Sequence, residues 1–123
     1  TFDAASHDVM DVSHYNDMQE LLFVSDILIT DYSSSMWDFS LTHRPCFLFA
    51  TDLRSYQNER DFYTDIHSWP FILTENNDEL AEKIAAFDEE HYVNDVIAYH
   101  ETSGSYETGS ACRKVAELMR SKL

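Results

Sequence analysis

Thr30-Asp31-Tyr32-Ser33-Ser34-Ser35 is the stretch of this sequence whose residue types and order point most directly to chemistry. Successive hydroxyls supply donors that can turn toward phosphate oxygens. The stretch follows the apolar run Ile27–Thr30 and opens a predicted helix. A helix start adds unpaired N–H groups and the positive end of the backbone dipole. Open α/β sheets bind their ligands where strands deliver such turns, at the carboxyl edge. A single serine there would be no more than an N-cap. Three in a row, behind Asp31, read as a site for a phosphate group on a nucleotide-linked substrate. Asp31 either caps the turn or orients a ribose or acceptor hydroxyl. A phospho-accepting receiver domain is disfavoured, because Cys46–Ala50 is followed by Thr51 and Asp52 where that chemistry needs a lysine.

A second constellation is Asp52-Leu53-x-x-Tyr56 with Arg60, Phe62 and Tyr63. The Arg60 guanidinium is suited to bidentate phosphate contact, or to a surface pair with Glu59 or Asp61. Tyr56 and Tyr63 line a pocket or cover a sheet edge. The six histidines (His7, His14, His43, His67, His91 and His100) lack HxH, HExxH or CxxC-type companions, so structural or surface roles are expected and no metal site. Asp88–Glu90 reads as a solvated helix face.

The elements that must position these residues alternate. Val9–Val12 reads as a short strand, and Asp17–Val24 as a helix capped by Asn16 or Ser13. Ile27–Thr30 and Cys46–Ala50 read as strands buried on both faces. Between them a helix runs from about Ser34 to Thr42, ended by Arg44-Pro45. Thr51–Ser68 reads as a long functional loop. Phe71–Leu73 is the next strand, and Asn76 or Thr74 caps a helix to about Phe87. Glu89–Tyr99 and Ser110–Met119 are two further helices, with Gly104 and Gly109 in the linker. The pattern predicts an α/β fold with a parallel sheet of about four strands, flanking helices and C-terminal helices. So few strands are expected of a piece of a doubly wound domain.

Composition narrows the function classes. The 123 residues include 44% hydrophobic side chains, enough for a core, so disorder is not expected. A formal charge of −15 argues against a general nucleic-acid or anionic-membrane surface. With eight Lys and Arg in all, an anion site must rely on backbone N–H groups, hydroxyls and a few placed cations. Cys46 and Cys112 are expected as buried free thiols. No stretch is long or apolar enough to span a membrane, and a cytoplasmic location is expected. The chain begins at Thr1 and is read as a single domain or a fragment of a larger protein.

At these residues the sequence resembles the CDP-glycerol glycerophosphotransferases, the primases and polymerases of teichoic acid synthesis. The resemblance runs from about Val12 to the C-terminus. It rests on Ser13-x-Tyr15-x-Asp17-Met18-x-Glu20-Leu21, on Ser25-Asp26-Ile27-Leu28-Ile29-Thr30-Asp31-Tyr32-Ser33-Ser34 and on Asp38-Phe39. It continues through Arg44-Pro45, Asp52-Leu53-x-x-Tyr56, Arg60-x-Phe62-Tyr63 and Tyr106-x-x-Gly109-x-Ala111.

The resemblance implies a partial Rossmann-like sheet, the distal part of the second, donor-holding domain of a GT-B fold. It implies CDP-glycerol or a related CDP-polyol as donor substrate, no further cofactor, and a lipid-linked or polymer acceptor at the inner membrane face, where the whole protein would be peripheral. Ser33, Ser34 and Ser35 would hold the donor pyrophosphate, Asp31 would order the turn and Arg60 would help neutralise charge. The family's catalytic histidine, in a WHG-type motif of the first domain, has no counterpart here, and His7 lacks the flanking residues of the family's arginine–histidine phosphate motif. No catalytic residue is therefore assigned, and the chain alone is expected not to turn over. The usual RGFY reads Arg60-Asp61-Phe62-Tyr63, and the usual proline-glycine turn reads Trp69-Pro70-Phe71, which points to a different CDP-polyol. The alternatives are a GT-B transferase of a nucleotide sugar and a non-catalytic acidic interaction module.

Overall fold

The computed structural model describes residues 9–60 and 62–122. Three short parallel strands form the sheet: β1 (Leu28–Thr30), β2 (Cys46–Phe49) and β3 (Ile72–Thr74), in that spatial order. Leu28 lies opposite Cys46 and Thr30 opposite Leu48, while Phe47 lies opposite Ile72 and Phe49 opposite Thr74. The α/β class and parallel pairing follow the sequence pattern, but the strand count is three among the described residues. Val9–Val12 forms no strand; its carbonyl end closes a turn, with Tyr15 N–H donating to Val12 O at 2.9 Å.

Among the described residues there are six α-helices: α1 (Met18–Val24), α2 (Ser35–Ser40), α3 (Leu53–Glu59), α4 (Asn77–Ala85), α5 (Glu89–Ser103) and α6 (Ala111–Arg120). The stretch 51–68, read as a loop, contains α3 and a 3-10 turn at Ile66–Ser68. Leu53 is the buried residue of α3 and Ile66 that of the 3-10 turn, and single anchors leave too little apolar periodicity to be seen. Side-chain caps fall where short polar residues precede a helix: Asp17 accepts from Gln19 and Glu20 N–H, Asn76 from Glu79 N–H and Asp88 from His91 N–H. Asp17, rather than Asn16 or Ser13, is thus the cap of α1. The cap alternative Thr74 is instead buried in β3, where its hydroxyl donates to Leu48 O at 3.0 Å. α5 continues past Tyr99 to Ser103, and Gly104 closes it at φ 72°, a left-handed position that suits glycine.

β2 is buried from Cys46 to Leu48, as its apolar run requires. Cys46, Leu48 and Ala50 join Met36 and Phe39 of α2, Leu22 of α1, Leu53, Ile66 and Phe71 in one core. On the alternate side of the pleat, Phe47 meets Phe87 with ring centroids 6.0 Å apart, and Phe87 in turn meets Tyr92 at 5.6 Å. β1 departs from the expectation of burial on both faces. Among the described residues it pairs with β2 alone, and Ile29 is 49% exposed. Cys46 is buried as expected, but Cys112 is exposed because α6 buries no residue among those described. No helix of the described residues is long and apolar enough to cross a membrane.

Two polar contacts fix helices onto the sheet. Arg44 Nη1 donates to the carbonyls of Phe23 at 2.6 Å and Ser25 at 2.9 Å, satisfying the end of α1, which has no basic residue in its last turn. The Cys46 N–H, at the start of β2, donates to the Tyr92 hydroxyl at 3.1 Å and anchors α5. Burial pushes the Cys46 thiol from its ordinary 9.0 up to about 12, and burial likewise raises the Tyr92 phenol, with Cys46 nearby adding to the effect. Both groups are neutral in the fold and ionise more readily in the unfolded chain. Their contribution to stability is complete below pH of about 9 and declines as pH rises through the folded values. Tyr92→Phe leaves the Cys46 N–H buried without its acceptor and is expected to cost about 1–3 kcal/mol in urea unfolding at neutral pH. The same variant should show a shallower loss of stability between pH 9 and 11 than the parent.

His43 is the non-glycine residue at positive φ among those described (58°), just after α2, with its N–H donating to Ser40 O at 3.0 Å. A side chain in this conformation costs about 1–2 kcal/mol. His43→Gly is expected to raise stability by about 1 kcal/mol, read as a higher unfolding midpoint at unchanged slope.

Candidate functional site

The turns after β1 and β2 emerge side by side at the carboxyl edge of the sheet, because the two strands pair in parallel. The first turn carries Asp31 to Ser34 and runs directly into α2; the second carries Thr51 and Asp52 into α3. Phe39 and Met36 are buried and hold α2 onto the core, so the hydroxyl turn is fixed at both ends.

Within the hydroxyl turn the three serines are not equivalent. Ser33 and Ser35 hydroxyls lie 2.9 Å apart, and the Ser35 N–H donates to Ser33 Oγ at 3.3 Å. Ser34 occupies the N-cap position of α2, is exposed, and makes no side-chain capping bond. The capping-type bond in this turn is made by Ser33, which leaves the Ser34 hydroxyl without that role. The Met36 and Trp37 N–H groups are spent on Ser33 O at 3.2 Å and Ser34 O at 3.0 Å. α2 spans only Ser35–Ser40, so its dipole is modest and the hydroxyls must carry more of any anion contact.

Tyr32 was not singled out by its residue type, yet it organises this edge. Its ring stacks on Tyr56 with centroids 3.9 Å apart and lies 5.5 Å from Phe62. Its hydroxyl donates to Asp52 Oδ1 at 2.9 Å, linking the two turns across 20 residues of sequence. Burial raises the Tyr32 phenol well above its usual range, and the bond to Asp52 adds to the shift, so the hydroxyl keeps its proton. Asp31, expected to order the turn, is exposed and makes no hydrogen bond among the described residues. The aromatic contacts continue from Phe62 to Trp69 at 5.3 Å, from Trp69 to Trp37 of α2 at 5.4 Å, and from Trp37 to Tyr99 of α5 at 5.3 Å. Tyr56 thus takes part in a stack that supports the edge.

Arg60 closes α3, its N–H donating to Tyr56 O at 2.9 Å. It is exposed and forms no ion pair among the described residues, where the pairs are Lys83–Glu79 and His91–Asp95. Asp61 and His7 lie outside the described residues. Tyr63 projects fully into solvent, so it neither lines a pocket nor covers the sheet edge. Among the histidines, His100 Nε2 lies 2.8 Å from Ser40 Oγ. The Ser40 hydroxyl also contacts Trp37 O at 2.7 Å, so His100 serves to pin α5 to α2. Asp88 caps α5, while Glu89 and Glu90 are the solvated pair the sequence led us to expect. No group of three or more His, Cys, Asp or Glu side chains among the described residues is placed to hold a metal ion. A cavity of about 320 Å³ lies at the opposite end of β3, lined by Phe71, Ile72, Phe87 and Tyr92, away from the serines.

Residues 2–121 match the family described as CDP-Glycerol:Poly(glycerophosphate) glycerophosphotransferase. The chain belongs to this family. It is 36% identical over 115 residues to the teichoic acid glycerol-phosphate transferase of Staphylococcus aureus, covering 90% of this chain and 30% of that protein. It is 34% identical over 114 residues to the teichoic acid ribitol-phosphate polymerase TarK of the same organism, covering 90% of this chain and 22% of the relative. Among solved structures, the wall teichoic acid polymerase TagF superposes with a TM-score of 0.76 at 33% identity, covering 92% of this chain and 28% of that one. A variant of TagF soaked with CDPG for 30 minutes gives a TM-score of 0.80 at 31% identity, covering 98% of this chain and 32% of that one. The chain therefore spans about a third or less of the length of these relatives.

Proposed function

We propose that this chain is the donor-binding segment of a glycerophosphotransferase that moves a polyol phosphate from a CDP-linked donor, CDP-glycerol or a related CDP-polyol, to a teichoic acid acceptor. The observation that carries the reading is the hydroxyl turn Ser33–Ser35 at the carboxyl edge of a parallel sheet, in a chain that matches the glycerophosphotransferase family along nearly its whole length. In this reading Ser33, Ser34 and Ser35 hold the donor pyrophosphate, Asp31 faces the turn from solvent, and the exposed Arg60 swings its guanidinium onto a phosphate oxygen. Relatives of similar identity are named for glycerol and for ribitol phosphate, so the polyol is left to residues that contact it.

The reaction needs three things: charge neutralisation on the pyrophosphate, alignment of an acceptor hydroxyl, and a base. The acceptor oxygen forms a bond to the polyol-bearing phosphorus, the bond from that phosphorus to the bridging oxygen breaks, and CMP leaves. The acceptor proton passes to a base. This segment supplies the first need. The base belongs to a further part of a GT-B type arrangement in which this chain is the distal portion of the second domain. The acceptor is lipid-linked, and the intact protein sits peripherally on the cytoplasmic face of the membrane.

Titration of the intact protein with CDP-glycerol, by calorimetry, tests the reading. Binding is expected in the parent, and Ser33→Ala with Ser34→Ala should weaken it about tenfold or more, the loss of one to two hydrogen bonds to a charged group. Tighter binding of UDP- or GDP-sugars than of CDP-glycerol would overturn the donor assignment in favour of a nucleotide-sugar transferase. Absence of nucleotide binding in both proteins would leave an acidic interaction module.

A further inference from the structure

We infer that Tyr32 and Asp52 are a positioning pair, whose hydrogen bond sets the distance between the hydroxyl turn and the α3 arm and so tunes affinity for the donor. The inference rests on the donor-binding reading above.

The contrast among helix starts is the first support. Asp17, Asn76 and Asp88 spend their side chains on N–H groups of their own helices. Asp52 sits at the equivalent position of α3 and makes no such bond. The Leu53 N–H of α3 is served by Ala50 O at 3.2 Å, and the Ser55 and Tyr56 N–H groups by the Asp52 backbone carbonyl at 2.9 Å and 3.0 Å. Its carboxylate is turned instead to Tyr32, 20 residues earlier. A hydrogen bond with a charged acceptor is roughly twice as strong as a neutral one.

The second support is what lies on either side of the bond. Tyr32 directly precedes Ser33, so its bond to Asp52 anchors the backbone where the hydroxyl turn begins. Asp52 begins the helix that carries Tyr56 and ends at Arg60. The Tyr32 ring is stacked on Tyr56, which gives the pair a defined approach as well as a bond. With the phenol proton retained through neutral and mildly alkaline pH, the donor role of Tyr32 is permanent. The bond also gives the Asp52 carboxylate a partner at an edge that must accept a doubly charged pyrophosphate.

The test uses the intact protein, with CDP-glycerol as the varied substrate. Tyr32→Phe keeps the ring and removes the hydroxyl, and Asp52→Ala removes the acceptor. Each is expected to raise KM for the donor about tenfold with kcat nearly unchanged, since the base lies elsewhere. The double variant should be no worse than either single one, because both remove the same bond. Asp52→Asn keeps an acceptor oxygen and should recover most of the parent KM. Melting curves are recorded on all four. A lowered Tm with donor KM unmoved would reduce the pair to a structural contact and overturn the inference, as would additive losses in the double variant. Failure of the parent itself to bind CDP-glycerol would overturn the donor reading and this inference with it.

Discussion

The parallel pairing of Leu28–Thr30 with Cys46–Leu48 is the constraint on which the candidate site depends. Parallel strands point the same way, so both must end at one edge, and whatever follows each strand is delivered there. One turn brings hydroxyls and the other brings Asp52, residues far apart in sequence and meeting through Tyr32. The pairing is held from behind: Phe39 is fully buried beneath α2, and Cys46 and Leu48 are fully buried in β2. Deleting any of these side chains would open a cavity costing a few kcal/mol, a large share of the stability of a domain this size.

Charge shapes the same edge in a second way. A chain of net charge −15 that binds a pyrophosphate works against its own field. Neutral hydroxyls and backbone N–H groups are the donors that such a chain can place without relying on scarce cations. The serines of the turn fit that requirement, and Ser34, with no capping bond of its own, is the most available of them. Arg60 is exposed and without an ion pair among the described residues, which leaves its guanidinium free of a competing carboxylate there.

Much of this was legible in the sequence. The runs Ile27–Thr30 and Cys46–Ala50, and the polar residues ahead of α4, announced their elements because burial and capping are local demands. The order of those elements then fixed a parallel sheet. What escaped notice was long-range. The residue type of Tyr32 assigns it no role, because that role exists only once Asp52 and Tyr56 are brought beside it. α3 was hidden for a related reason: a two-turn helix anchored by Leu53 has no periodicity to detect. β1 was read as buried on both faces from its composition, but burial needs neighbours, and Ile29 has none covering it among the described residues. The family resemblance was legible because it lay in ordered motifs, and it is matched over residues 2–121.

The most direct test of the central claim is a structure of the intact protein with CDP-glycerol bound. The account predicts the donor pyrophosphate at the turn after β1, with oxygens within hydrogen-bond reach of the Ser33 or Ser34 hydroxyl or N–H and the Tyr32–Asp52 bond intact. A pyrophosphate seated elsewhere, with the serine turn open to solvent, would contradict it.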